Sequence, residues 1–175
     1  TSVDALVAAE TQRGDGVEAV AIATPNDSHF GIAATALKAR LHVICDKPMT
    51  ATLGEAHALA AILADTDRVY ALTYTYTGYA MIREARALIA AGELGRVRKL
   101  VVTYPQGWLA GAIEAEVAGA AWRTDPARAG IGGCIGDIGV HAFQLAEYVS
   151  GLRVERLCAD LSQVVGGRRL GRDCN

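Results

Sequence analysis

His42-Val43-Ile44-Cys45-Asp46-Lys47-Pro48 decides the fold of this chain. Val43 to Cys45 is a short apolar run, partly β-branched, too short for a helix and suited to a buried parallel strand. It stops on Asp46, Lys47 and Pro48, so a carboxylate and an ammonium stand at the carboxyl end of a strand. In open α/β sheets that edge is where ligands bind. Pro48 offers no N–H for further pairing and biases Lys47 towards extended backbone, which sets the lysine's direction. Taken alone, the tripeptide reads as a surface turn. The case for a site comes from other polar groups at comparable places in the pattern.

Working outward, Val17 to Ala23 (VEAVAIA) reads as a second buried strand, ending at Thr24-Pro25-Asn26. A helix follows, with Asn26, Asp27 or Ser28 as its cap and Phe30, Ala33, Ala34, Leu37 and Leu41 on one face. Beyond Pro48, Thr52 and Glu55 form a capping box for a helix whose stripe is Leu53, Ala56, Leu59, Ala60 and Leu63. Val69 to Thr73 is a third apolar strand, and Val3 to Thr11 an opening helix closed by Gly14-Asp15-Gly16. Strand–helix–strand–helix–strand predicts a parallel sheet with right-handed crossovers.

After Thr73 the rhythm changes. Tyr74 to Tyr79 is polar-aromatic, and a helix runs from about Ala80 to Ala91, ending at Gly92. Val97 to Tyr104 reads as a strand that opens a second domain. Residues 105–135 carry no convincing regular element; such long irregular stretches are usually functional or mobile. Both tryptophans, Trp108 and Trp122, lie in it. A glycine-rich run at 132–136 leads into one helix through Asp137, His141, Leu145 and Val149, ended by Gly151, with a strand predicted from Val154 to Leu161. The tail GGRRLGRDCN has no apolar pattern. The fold class expected is α/β: a partial Rossmann-type parallel sheet over residues 1–74, then part of a second α/β domain with an open sheet over 75–175.

The 175 residues are half apolar, with few aromatics and a net charge of −2, which gives no argument for nucleic acid or an anionic membrane. Four cysteines lie far apart, Cys45, Cys134, Cys158 and Cys174, as reduced thiols of a cytoplasmic protein do, and no metal site is expected. No apolar run approaches a membrane span and no signal-peptide pattern opens the sequence given.

Asp137 and His141 are four apart, so on one α-helix both project from one face. They are either a helix-favouring carboxylate and a hydrogen-bonded core histidine, or a proton acceptor with a carboxylate to orient it. Thr24-Pro25-Asn26 is either a capped strand–helix corner or the lining of a cofactor cleft on Lys47's side of the sheet. His29 is either a local hydrogen-bonding group or a ligand contact. Trp122-Arg123 is packing plus a surface charge, or an aromatic wall and an anion fork for a substrate that also meets Tyr76. His42 and His57 carry no signal.

Thr24-Pro25-Asn26 with His29, Asp46-Lys47-Pro48, and Gly136-Asp137-Ile138-Gly139-Val140-His141 together resemble the glucose–fructose oxidoreductase and inositol dehydrogenase family of nicotinamide-dependent sugar dehydrogenases. Order and spacing agree from about Val17 to Leu161, although glutamate is commoner than aspartate at position 46. The resemblance implies a Rossmann domain followed by an α/β domain used for oligomerisation, hence a homo-oligomer. It implies NAD or NADP as cofactor and a small sugar or polyol as substrate. Lys47 and His141 would be catalytic with Asp137 assisting, and Thr24, Pro25, Asn26, His29, Asp46 and Pro48 would line the nicotinamide site.

One departure is serious. The family opens with a strand, a Gly-x-Gly-x-x-Gly turn and a helix that cradle the pyrophosphate. Here Gly14 and Gly16 precede a strand instead of following one. The chain therefore reads as an internal portion of such an enzyme. From a different class, the alternative is a catalytically silent binding or oligomerisation module. Without its family neighbour, VEAVAIA would be an edge with no proline or lysine to discourage pairing, so the isolated chain is expected to bind cofactor poorly and to associate edge to edge.

Overall fold

The structure, a computed structural model, describes residues 2–107, 109–114, 116–130 and 132–168. Trp108 and the end of the tail with Cys174 lie outside the described residues. The chain divides into two units, Thr1–Thr73 with Ala127–Gly130, and Tyr74–Pro126 with Ile131–Asn175.

The first unit holds helix α1 (Val3–Thr11), strand β1 (Ala19–Ile22), helix α2 (His29–Lys38), strand β2 (His42–Asp46), helix α3 (Leu53–Ala64) and strand β3 (Tyr70–Thr73). The strands form a parallel sheet in the order β1-β2-β3, with Ile22 opposite Cys45 and Asp46 opposite Thr73. Val7, Ile22, Ala33, Ala36, Leu37, Leu41, Val43, Cys45 and Leu59 make one core. Thr52 and Glu55 close the capping box: the Thr52 hydroxyl accepts the Glu55 N–H, and the Glu55 carboxylate accepts the Thr52 N–H.

Three expectations for this unit change. The sheet is covered on one face only: Val43 and Cys45 are buried, whereas Ile44 between them is 46% exposed. The helix cap is absent, because the backbone first makes a 3-10 turn at Asn26–Ser28, and α2 starts at His29 with no side-chain cap. On α3, Leu53 in the first turn is exposed, and Leu59 alone is fully buried, with Ile62 and Leu63 packed beside the core.

The second unit contains a 3-10 turn (Thr75–Gly78), helices α4 (Ala80–Ala90) and α5 (Ala118–Arg123), the start of the short α6 (Pro126–Ala129), a π-helical turn (Ile135–Gly139) and helix α7 (Val140–Ser150). Arg86 joins α4 to α7: its Nη1 donates to the Tyr148 carbonyl at 2.8 Å while the guanidinium lies 4.4 Å over the Tyr148 ring. Gly151, at a φ of 72°, ends α7 in the left-handed conformation that glycine adopts without strain.

The strands expected at Val97–Tyr104 and Val154–Leu161 are not formed. Strand structure needs a ladder partner, and neither segment has one among the described residues; Val101 and Leu157 stand exposed. The open sheet expected of the second domain is accordingly not seen there. Residues 105–135 are also less irregular than expected, since α5 and α6 lie within them.

Candidate functional site

The candidate site residues of the first unit stand at the carboxyl edge of its sheet. Beyond β1, Ser28 Oγ donates to the Pro25 carbonyl at 2.7 Å, so the Thr24 hydroxyl donates to Ser28 Oγ in turn. Asn26 is buried, and its amide Nδ2 donates to the Ala129 carbonyl at 3.0 Å. Its side chain is thus committed to a segment a hundred residues further on. The docking of that segment is close. Gly130 has a φ of 85°, and a Cβ there would lie 2.6 Å from the Ala51 carbonyl oxygen. Arg128 also pairs with Asp27 at 3.4 Å.

Beyond β2, Asp46 Oδ1 accepts both the Lys47 N–H at 2.9 Å and the Thr73 hydroxyl at 3.0 Å. The carboxylate therefore knits the ends of β2 and β3 together and turns the chain towards Lys47. The Lys47–Pro48 peptide bond is cis. His29, the first residue of α2, is fully buried: Nδ1 lies 2.8 Å from the Pro48 carbonyl oxygen and Nε2 2.8 Å from that of Thr24. His42, which carried no signal, accepts the Val69 N–H on Nδ1 at 2.9 Å.

These residues fit the nicotinamide end of a dinucleotide: backbone and side-chain polar groups of Thr24, Pro25, Asp46, Lys47 and Pro48 share one sheet edge. A pyrophosphate cradle is a different matter. Gly14 and Gly16 sit before β1, at the opposite end of that strand, and a Cβ at Gly16 would fall 2.0 Å from the Glu10 carbonyl oxygen. That glycine is required by the turn that closes α1.

In the second unit the chemistry gathers around His141, which is buried in the first turn of α7. Three tyrosine rings surround it, with centroids at 4.7 Å for Tyr76, 5.9 Å for Tyr74 and 6.5 Å for Tyr104. Tyr76 and Tyr104 share a hydrogen bond between their hydroxyls. That bond first, and burial second, push the Tyr76 phenol up to about 12. Burial also raises Tyr74.

Asp137 does not share one regular helix with His141, as the spacing predicted. It lies in the π-helical turn, whose wider winding shifts the four-residue register. Its carboxylate meets Arg123 Nε at 3.5 Å, while Arg123 Nη1 donates to the Gly119 carbonyl at 2.7 Å and the guanidinium lies 4.4 Å over the Trp122 ring. Trp122 therefore holds Arg123. Asp137, Arg123 and Tyr104 line a cavity of about 240 Å³ with Ile138, Ala142 and Arg168. Arg168 pairs with Glu114 and donates to the carbonyls of Leu109 at 2.8 Å and Gly111 at 2.9 Å. Tyr104 and Arg168 were not among the candidate site residues of the sequence reading. Tyr104 could have been noticed as a tyrosine closing an apolar run just before a proline; Arg168, among the polar residues of the tail, gave no signal.

Among the described residues no helix is long and apolar enough to cross a membrane, and no group of three or more His, Cys, Asp or Glu could hold a metal ion.

Residues 1–74 match the family described as an oxidoreductase family with an NAD-binding Rossmann fold, and residues 82–173 the GFO/IDH/MocA C-terminal domain. The chain is 35% identical over 166 residues to the uncharacterized oxidoreductase YfiI of Bacillus subtilis, covering 93% of this chain and 42% of that protein. It is 33% identical over 135 residues to levoglucosan dehydrogenase of Pseudarthrobacter phenanthrenivorans, covering 77% of this chain and 33% of that one. Among solved structures it resembles an inositol dehydrogenase homolog from Azotobacter vinelandii complexed with NAD+, with a TM-score of 0.82 and 40% identity over 85% of this chain and 38% of the other. The chain thus spans about two fifths or less of the length of these relatives. With a matching model over more than half its length, the chain belongs to the GFO/IDH/MocA family of oxidoreductases.

Proposed function

We propose that the protein carrying this chain is an NAD(P)-dependent oxidoreductase acting on a hydroxyl of a neutral sugar or polyol. The observation that carries the reading is the sheet edge where Thr24, Pro25, Asp46, Lys47 and Pro48 gather, in a chain of this family. Relatives named for levoglucosan and inositol support the substrate class. When bound, the nicotinamide supplies hydride transfer; the protein supplies orientation and charge.

On this reading the first unit is the later part of a Rossmann domain and residues from about 75 onward belong to a substrate and oligomerisation domain. Thr24, Pro25, Asp46 and Pro48 hold the nicotinamide end, with Asn26 acting through its bond to Ala129. Lys47 places its ammonium where negative charge develops on the substrate oxygen. His141 takes the hydroxyl proton on its imidazole. Asp137, braced by Arg123, accepts a second substrate hydroxyl, and Tyr76 and Trp122 shape the surroundings. The cavity's charges are matched internally, Arg123 by Asp137 and Arg168 by Glu114, which suits a neutral ligand better than a phosphate ester or sugar acid. The scattered cysteines, with no CxxC pair, suit a reducing cytoplasm, and the family's second domain suits a homo-oligomer.

Lys47→Ala, made in the protein that carries this chain, is expected to lower turnover by about two orders of magnitude or more with dinucleotide affinity changed far less. His141→Asn is expected to abolish the pH dependence of a general base. Full activity in both variants would sink the catalytic assignment. Failure of the unaltered protein to bind either dinucleotide would favour the silent module.

A further inference from the structure

We propose that His29 is a doubly protonated clasp that holds together the two loops at the carboxyl edge of the sheet, making it a positioning residue for the dinucleotide site. Its ring is fully buried, and each nitrogen lies 2.8 Å from a backbone carbonyl oxygen, Pro48 at Nδ1 and Thr24 at Nε2. A carbonyl oxygen can only accept. A neutral imidazole has one N–H, so it would leave the other nitrogen's lone pair facing a carbonyl lone pair, away from water. The imidazolium donates at both ends.

The charges around the ring are few. Burial works against the cation, while the Cys45 thiol and the carbonyls of Pro48 and Thr24 favour it, with the net effect of raising His29 to about 9. From β2, Cys45 faces the ring; Asp46 beyond it is engaged by the Lys47 N–H and the Thr73 hydroxyl. On its own element, His29 stands at the start of α2, where the helix dipole opposes a cation. Asp27 in the turn before it is paired with Arg128. Both carbonyls can only accept, so the geometry at Nδ1 and Nε2 uses two ring N–H donors, and Cys45 adds to the preference for the cation.

The carbonyls belong to the loops that matter. Thr24 immediately precedes Pro25-Asn26, and Pro48 immediately follows Lys47. One ring therefore fixes the spacing between the strand-end loops after β1 and after β2. This explains a histidine where a cofactor contact was expected: its nitrogens are spent on the backbone, and it acts on the site through Thr24 and Pro48. Because the folded value lies above the free value of 6.5, the clasp is fully present below that pH and is lost as pH rises through about 9. The clasp stands on geometry alone; its service to a dinucleotide rests on the function proposed above.

The test is a long-range ¹H–¹⁵N NMR titration of the full, unaltered chain, with His29 assigned by comparison with His29→Gln. Both ring nitrogens are expected to be protonated at pH 7.5, with a midpoint near 9. A single-tautomer ring at pH 7.5 would overturn the clasp whether or not the variant folds. In NADH and NADPH titrations of the protein that carries this chain, His29→Gln is expected to weaken binding about tenfold and remove the alkaline loss of affinity. A variant that binds as tightly as the parent at every pH would overturn the positioning role. Failure of the unaltered protein that carries this chain to bind either dinucleotide would instead overturn the placement of the cofactor at this edge.

Discussion

In the first unit, nine buried apolar residues from both helix faces and strands form one cluster, with Ala33, Ala36, Cys45 and Leu59 fully sealed. In the second, no apolar side chain among the described residues is fully buried, and the most enclosed side chains are polar, those of Arg168, His141 and Thr124. One unit is organised around apolar burial, which is non-directional and proportional to area. The other is organised around aromatic edges, ion pairs and side-chain bonds to carbonyls, which are directional. The difference separates a unit packed by apolar area from one packed by directional polar and aromatic contacts.

The largest expected effect breaks or confirms this contrast directly. Leu59→Ala removes a fully buried side chain from the core and is expected to cost about 3 kcal/mol in urea unfolding of the 175-residue chain. Leu157→Ala removes the same atoms from a residue 81% exposed and is expected to stay within about 0.5 kcal/mol. Equal losses at the two positions would show that the second unit has a core of its own.

The same contrast explains what the sequence disclosed. Val43, Cys45, Leu37 and Leu59 lie at strand and helix periods, and period is a local property, so the sheet, its parallel order and the Thr52 capping box were legible. Val97–Tyr104 and Val154–Leu161 have equally strand-like composition, but a strand also requires a partner, which composition does not supply. The site divides in the same way. Thr24, Asp46 and Lys47 were legible because each stands beside a predicted strand end. The commitment of Asn26 to Ala129 and of His29 to Thr24 and Pro48 was not, because those acceptors are carbonyls that every residue possesses. Nor was the π-helical turn that moves Asp137 out of register with His141, since its glycines and isoleucines fit an α-helix as well.

A smaller effect sharpens the account of the polar unit. The hydrogen bond to Tyr104, with burial, raises the Tyr76 phenol to about 12. A phenol raised in the folded state stabilises the fold below its free value of about 10, and that contribution fades as pH rises through about 12. Tyr104→Phe is expected to return Tyr76 towards its ordinary value, read as phenolate absorbance appearing at lower pH. An unchanged titration would mean that the ring contacts with His141, not the shared hydroxyl bond, organise the cluster.

The smallest expected effect compares two helix starts. α3 begins with a complete capping box, in which Thr52 and Glu55 each satisfy the other's backbone N–H. α4 begins at Ala80 behind Tyr79, whose side chain makes no capping bond, so its first amides have no such side-chain partner. Thr52→Ala is expected to cost about 1 kcal/mol, because one first-turn N–H loses its acceptor and the Glu55 return bond loses its complement. At α4, Tyr79→Asp introduces the missing acceptor and a charge that suits the helix dipole, a gain of about 0.5–1 kcal/mol. It also removes the edge-on contact between the Tyr79 and Tyr76 rings, whose centroids are 5.9 Å apart, a loss of about the same size. The net change is expected to be near zero. A clear gain would show that the aromatic contact adds little, and a clear loss that the second unit depends on its rings where the first depends on its caps.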